Sequence, residues 1–269
     1  MEKSRIDQLL VERGLFSSRQ RAKAEIMAGN VLVNDQVVDK AGTLVAVNAE
    51  IRISGNSVPF VSRGGLKLDK ARTEFNLDLQ DKVVADIGAS TGGFTDVSLI
   101  NGAAKVYAVD VGYGQLAWSL RKDSRVVVME RTNARYLELK DIGEPVDLVV
   151  TDVSFISLAK IFPAAARILK DDGEMVALIK PQFEAGKENV GKKGVVSDFD
   201  IHKLVIERVL YFSKEEGFQF QNLSFSPITG PKGNIEYLLY LVKNHQNNEK
   251  LDLDSKIQSV INEAKKLRK

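Results

Sequence analysis

An apolar run, Val83-Val84-Ala85, leads directly into Asp86-Ile87-Gly88-Ala89-Ser90-Thr91-Gly92-Gly93-Phe94-Thr95-Asp96 and then into Val97-Ser98-Leu99-Ile100. That order reads as a strand, a glycine-rich turn and the start of a helix. Such a turn lets backbone approach a small ligand closely and aims free N–H groups at it. Two phosphate motifs are excluded: the spacing is not G-x-G-x-x-G, and Phe94 stands where a Walker loop needs its lysine. Instead the segment carries acid, with Asp86 ending the first strand and Asp110 ending the next apolar run, Val106-Tyr107-Ala108-Val109. A carboxylate after the second strand suits ribose hydroxyls, and acid at the first strand suits a cationic ligand better than a pyrophosphate. S-adenosylmethionine, with a sulfonium, an ammonium group and a ribose, meets both demands. A tight strand-to-helix turn without a ligand is the alternative reading.

Around this turn the chain alternates strands and helices, as a doubly wound parallel sheet requires. Strands are expected at Val126-Val127-Val128-Met129, at 146–150 and at 175–179, with a helix over 158–169. In an open α/β sheet the ligand crevice lies beyond the carboxyl ends of the strands. Asp86, Asp110, Asn133, Asp152 and Lys180 are therefore expected on one rim. A helix over 201–216 and two antiparallel strands, 218–225 and 235–242, close the fold, with Glu236 at the start of the last strand. After Asn244 the chain turns polar, and the spacing of Leu253, Ile257, Ile261 and Leu267 predicts a terminal helix with a loose end.

Composition removes other classes. There is no cysteine, which excludes disulfides and thiolate metal sites, and the two histidines, His202 and His245, stand apart, so no metal site is expected. No segment reads as a secretion signal or a membrane span, and a cytoplasmic protein is expected. Net charge is only +2, so any nucleic-acid surface must come from local clusters of basic residues.

One such cluster lies near the N-terminus. Ile6, Leu9, Leu10 and Val11 have helical spacing up to Gly14, and Ser17-Ser18 caps a second helix that stops at Gly29. Short strands follow at 31–33, 37–38 and 51–53, the first two joined by Asn34-Asp35. Arg19, Arg21 and Lys23 lie on the second helix, with Arg5 and Arg13 nearby, which by charge alone is also the pattern of a solvated helix face. The run Arg5-Ile6-Asp7 through Gly14-Leu15-Phe16-Ser17-Ser18-Arg19 to Gly29-Asn30-Val31-Leu32-Val33-Asn34 closely resembles the S4 RNA-binding domain. The resemblance implies that Arg5, Ser18, Arg19, Arg21 and Lys23 contact RNA phosphates, which position a partner without reading its sequence.

A lysine after a buried strand, as Lys180 is, can be brought toward neutral operation by burial, and a second lysine beside it adds like-charge repulsion. Lys67, with Asp152 and Glu236 to orient and balance the pair, makes either a general-base site for an alcohol or a structural ion-pair group. Ser62-Arg63-Gly64-Gly65-Leu66-Lys67, the glycine turn, Asp152-Val153-Ser154-Phe155-Ile156-Ser157, Lys180-Pro181-Gln182-Phe183-Glu184 and Gly230-Pro231-Lys232-Gly233-Asn234-Ile235-Glu236 together resemble the TlyA family, whose members are also labelled haemolysins.

That resemblance implies a Rossmann-like class I methyltransferase of the FtsJ type, an α/β fold with a mostly parallel seven-stranded sheet, preceded by a small α+β S4 domain. It implies an S4-like domain over 1–55, a linker over 56–62, a methyltransferase domain over 63–244 and a polar tail over 245–269. The implied reaction is methylation of a ribose 2′-hydroxyl of ribosomal RNA, at cytidine, in ribosomal subunits. Lys67, Asp152, Lys180 and Glu236 would form the catalytic tetrad. Asp86, Gly88, Ser90, Gly92, Gly93, Phe94, Asp110, Asn133 and Asp152 would hold S-adenosylmethionine. Arg63, Arg131, Arg135 and Lys187 would flank the rim as phosphate contacts. No metal or membrane partner is implied, and a monomer is favoured. A membrane-active haemolysin and a catalytically silent RNA-binding protein are the alternatives; the former lacks a secretion signal, and the complete tetrad argues against the latter.

Overall fold

The computed structural model describes residues 2–16, 18–27, 29–34, 36–53, 59–244 and 252–268. Ser17 of the expected cap, Asp35 of the expected hairpin, residues 54–58 at the start of the expected linker and just before it, and 245–251 with His245 lie outside the described residues. The chain divides into two compact units between Arg63 and Gly64.

In the first unit the elements are β1 (Lys3–Arg5), α1 (Ile6–Glu12), α2 (Arg19–Met27), β2 (Val31–Val33), β3 (Gln36–Val37), β4 (Leu44–Ala46) and β5 (Ile51–Ile53). Ile6, Leu9 and Leu10 share one face of α1 and bury it against Ala22 and Ile26 of α2 and Val31 and Val33 of β2. Strand β2 is central in a sheet ordered β3-β2-β5, and β1 pairs antiparallel with β4. The sequence pattern did not reveal β1 and β4; β1 is Lys3-Ser4-Arg5, with no apolar residue to mark a strand, and β4 is the strand it pairs with.

The second unit contains α3 (Gly65–Phe75), β6 (Val83–Ile87), α4 (Gly93–Ile100), β7 (Lys105–Val109), α5 (Trp118–Arg121), β8 (Val126–Met129), α6 (Leu139–Ile142) and β9 (Val146–Thr151). There follow α7 (Phe162–Ile168), β10 (Leu169–Ile179), α8 (Pro181–Glu184), α9 (Phe199–Glu215), β11 (Phe218–Phe225), β12 (Tyr237–Lys243) and α10 (Leu253–Ala264). The seven strands are ordered β11-β12-β10-β9-β6-β7-β8. Strands β10, β9, β6, β7 and β8 run parallel, while β12 is antiparallel to both of its neighbours. The parallel strands are near-continuous apolar runs because helices cover both of their faces. The strand order reverses between β6 and β9, and this switch point opens the crevice at their carboxyl ends.

Three expectations are corrected. The helix expected over 158–169 is a 3₁₀ turn at Leu158–Lys160 followed by α7, with Pro163 in its first turn. Strand β10 begins at Leu169 rather than 175, its register with β9 shifting between Leu169 and Glu174 where Asp172 takes a φ of +59°. Strand β12 begins at Tyr237, so Glu236 lies in the turn before it and not in the strand. The expected terminal helix is α10, and its Ile257, Val260, Ile261 and Ala264 join the main core. His202 is a core residue, its Nδ1 2.7 Å from the Tyr237 hydroxyl and its Nε2 2.9 Å from the Val196 carbonyl oxygen.

Candidate active site and nucleic-acid residues

Four charged side chains from four parts of the second unit meet at the carboxyl end of the sheet. Lys67, from the first turn of α3, lies 2.9 Å from Asp152 Oδ2 and 2.8 Å from Glu236 Oε2. Lys180, at the end of β10, lies 2.5 Å from Asp152 Oδ1 and donates to Ser154 Oγ at 2.9 Å. The order is Glu236, Lys67, Asp152, Lys180, two cations alternating with two anions. Lys67, Lys180 and Glu236 are buried. Their charges sum to zero, which is what makes burial of so many ions tolerable. Burial opposes the charge on Lys67, but the two carboxylates outweigh it and hold its proton affinity above that of ordinary lysine. Burial likewise works to raise Asp152, and the two lysines overcome it and hold the carboxyl below its usual range. Like-charge repulsion between the lysines is therefore not the dominant effect at Lys67, which corrects the sequence-based expectation.

Beside the tetrad lies a cavity of about 330 Å³, lined among others by Gly88, Ser90, Asp110, Gln115, Asn133, Asp152 and Phe155. Gly88 has a φ of +86°, and a Cβ there would press within 3.2 Å of the Asp152 carbonyl oxygen, so only glycine lets β6 turn so close to β9. Asp110 accepts from Ser90 N at 2.8 Å and from Gly112 N at 2.7 Å, which fixes its carboxylate at the cavity wall. Asn133 lines the cavity while accepting from Arg135 N at 3.2 Å as the cap of a 3₁₀ turn. Asp86 lies behind the turn: Thr95 donates its N–H at 2.9 Å and its hydroxyl at 2.7 Å to Oδ2, and Oδ1 has no hydrogen-bond partner among the described residues. Burial pushes the Asp86 carboxyl up to about 7, partly offset by the two Thr95 bonds. Gly92, Gly93 and Phe94 do not line the cavity. Gly92 precedes α4 as its cap residue, Gly93 begins the helix, and the Phe94 ring is buried.

The basic residues sort differently from their sequence pattern. In the first unit, Asp7 is fully buried and holds both Arg5 and Arg19 at 3.0 Å. These guanidiniums lower the Asp7 carboxyl to about 2, the Arg5 hydrogen bond contributing most. Ser18 Oγ accepts from Arg21 N at 3.3 Å, a helix-capping role. Arg21, Lys23 and Arg63 are exposed, and Arg63 ends the first unit. In the second unit Arg131, Arg135 and Lys187 are exposed, and the Arg131 guanidinium lies 4.3 Å from the centroid of Tyr113.

The FtsJ-like methyltransferase family matches residues 60–243, and the S4 domain matches residues 4–51. The chain is 47% identical over 240 residues to the 16S/23S rRNA (cytidine-2′-O)-methyltransferase TlyA of Mycobacterium tuberculosis, covering 89% of this chain and 90% of that one. The chain belongs to the TlyA family of FtsJ-like methyltransferases. A Bacillus subtilis relative, provisionally named an rRNA methyltransferase, is 51% identical over 268 residues and covers 98% of this chain and 95% of its own. A solved structure from Streptococcus thermophilus with a provisional hemolysin title superposes with a TM-score of 0.79 at 47% identity, covering 100% of this chain and 98% of that chain.

Three polar residues of this FtsJ-like unit escaped sequence reasoning. Ser154 binds Lys180, Gln182 Nε2 approaches Glu236 Oε1 at 3.5 Å, and Gln115 lies 3.4 Å from Ser90 Oγ. The first two sit inside motifs that were read for their charged members, so adjacency was the available signal. Asp7 was missed for the opposite reason: followed by Gln8 on a helix it reads as a surface acid, and its burial is tertiary.

Proposed function

We propose that the chain transfers a methyl group from S-adenosylmethionine to a ribose 2′-hydroxyl, at cytidine, of ribosomal RNA in ribosomal subunits. The observation that carries this reading is the charge-balanced Glu236-Lys67-Asp152-Lys180 chain placed against the cavity that ends at Asp110. The names of the relatives supply the substrate.

The residues present fit the donor. Asp86 Oδ1 is a buried acceptor without a partner among the described residues, and the cavity beside Gly88 is lined by Ser90, Asp110 and Asn133. Gly88, Ser90 and Asp86 would hold the amino-acid end, Asp110 the ribose hydroxyls and Asn133 the adenine edge. When bound, the donor supplies an electrophilic methyl group on a sulfonium. Lys180 orients the acceptor hydroxyl and serves as the general base for its proton as the oxygen–carbon bond forms and the carbon–sulfur bond breaks. Lys67 stays charged and fixes Asp152, which in turn fixes Lys180. Phe155, 89% exposed with a φ of +63° and its ring 4.9 Å from that of Phe183, offers the mouth of the site an apolar face for a base.

Methyl incorporation from labelled donor into purified ribosomal subunits, with mapping of the 2′-O-methylated position, tests the reading. Incorporation at a single ribose that vanishes in Lys180→Ala is the expected result. A wild-type protein that binds donor but methylates neither subunits nor free RNA would overturn it. No helix among the described residues is long and apolar enough to cross a membrane.

A further inference from the structure

A second basic group lies outside the tetrad. After α8 the chain runs through Lys187, Lys192 and Lys193, and the turn before β12 carries Lys232; all four are exposed. Asn234 Nδ2 donates to the Gly194 carbonyl oxygen at 2.9 Å and ties the two loops together. The Lys232 side chain lies across the same glycine, since a Cβ built on Gly194 would stand 3.5 Å from Lys232 Nζ. Within the turn, Gly230 N donates to Asn234 O at 2.8 Å, and any side chain at Gly230 would overlap the Glu236 carboxylate. The segment that presents Lys232 is thus the segment that aims Glu236 at Lys67. Lys232 also holds a φ of +61°, a left-handed conformation that an L-residue adopts at a cost. None of the four lysines has an ion-pair partner among the described residues, and the acid on the first loop, Glu188, packs over Gly186.

We propose that Lys192, Lys193 and Lys232 form a phosphate-binding surface that grips the RNA backbone on the Glu236 side of the tetrad. This rests on the ribosomal RNA reading above. A ribose whose 2′-hydroxyl meets Lys180 carries phosphates one bond beyond the sugar on either side, so the strand must leave the site over its rim. The two tied loops form part of that rim. Exposed ammonium groups are compact, mobile point charges, which suits a phosphodiester strand that is gripped without being read.

The test compares full-length wild type, the combined Lys192→Gln, Lys193→Gln, Lys232→Gln variant, and a charge-matched control with Lys140, Lys214 and Lys266 changed to Gln. Readouts are RNA affinity against salt concentration, KM and kcat with ribosomal subunits, and donor affinity as a check on folding. Neutralising three phosphate contacts should make the slope of log affinity against log salt shallower by about 2 and raise KM by roughly tenfold or more, with kcat and donor affinity kept. A slope and KM no different from the control would overturn the proposal and leave the lysines as a solvated face. A raised KM with unchanged affinity for naked RNA would also overturn it, in favour of a ribosomal protein contact. If the wild type methylates no RNA, the ribosomal reading fails, while the salt slope still decides whether this surface binds RNA.

Discussion

Lys67 and Lys180 are both buried lysines touching Asp152, yet they differ in company. Lys67 is held by two carboxylates, whereas Lys180 has Asp152 and the Ser154 hydroxyl. In the proposed reaction Lys180 is the base, and Lys180→Arg, which keeps charge but cannot act as a base near neutrality, should lower kcat by about 100-fold or more with donor affinity unchanged. Lys67→Met leaves Glu236 as an uncompensated buried charge, and a loss of stability of about 3 kcal/mol in urea unfolding is expected together with lost activity. Asp86 makes a pH prediction. Its carboxyl sits near 7 in the free protein, so below that pH a cationic ligand must displace a proton to bind. Donor affinity should rise between pH 6 and 8 by up to about tenfold per unit below 7, and Asp86→Asn should flatten the profile; calorimetry at several pH values checks it. The same raised acid makes the free protein less stable as pH climbs from the ordinary carboxylate range through 7, since the unfolded chain releases that proton first.

At the scale of elements, the turn between β6 and α4 is the most constrained segment. Gly92 has a φ of +99°, and a side chain there would overlap Leu120 of α5. Gly92→Ala should destabilise the second unit by about 2 kcal/mol and weaken donor binding, read by thermal unfolding with and without donor. The strand-turn-helix character of this segment was legible from residues alone because the apolar run, the glycines and the acids are contiguous. The start of β12 was not, since Ile235 continues an apolar pattern while the Gly230–Asn234 bond keeps it in the turn. The burial of α10 was equally hidden: sparse apolar spacing shows a helix, and only the apolar surface of β11 and α9 decides that it is covered.

For the whole molecule, two units have separate cores, and in the proposed function the first supplies RNA affinity and the second the chemistry. Asp7 ties Arg5 and Arg19 into one fixed pair in the first unit, so Asp7→Asn should cost about 2 kcal/mol there and lower RNA affinity without altering donor affinity, measured by unfolding and binding in parallel. The amino-acid sequence by itself determined the alternation of strands and helices, the Gly88 turn, the acids at the strand ends and the family motifs, because each is written in contiguous residues or in a short period. Tertiary structure alone decided that Lys67 is held by two carboxylates and Lys180 by Asp152 and Ser154, that Asp7 is an anchor, and that Phe94 belongs to the core and not the cavity. Those outcomes depend on burial and on distances between residues far apart in the chain, and neither spacing nor composition encodes them locally.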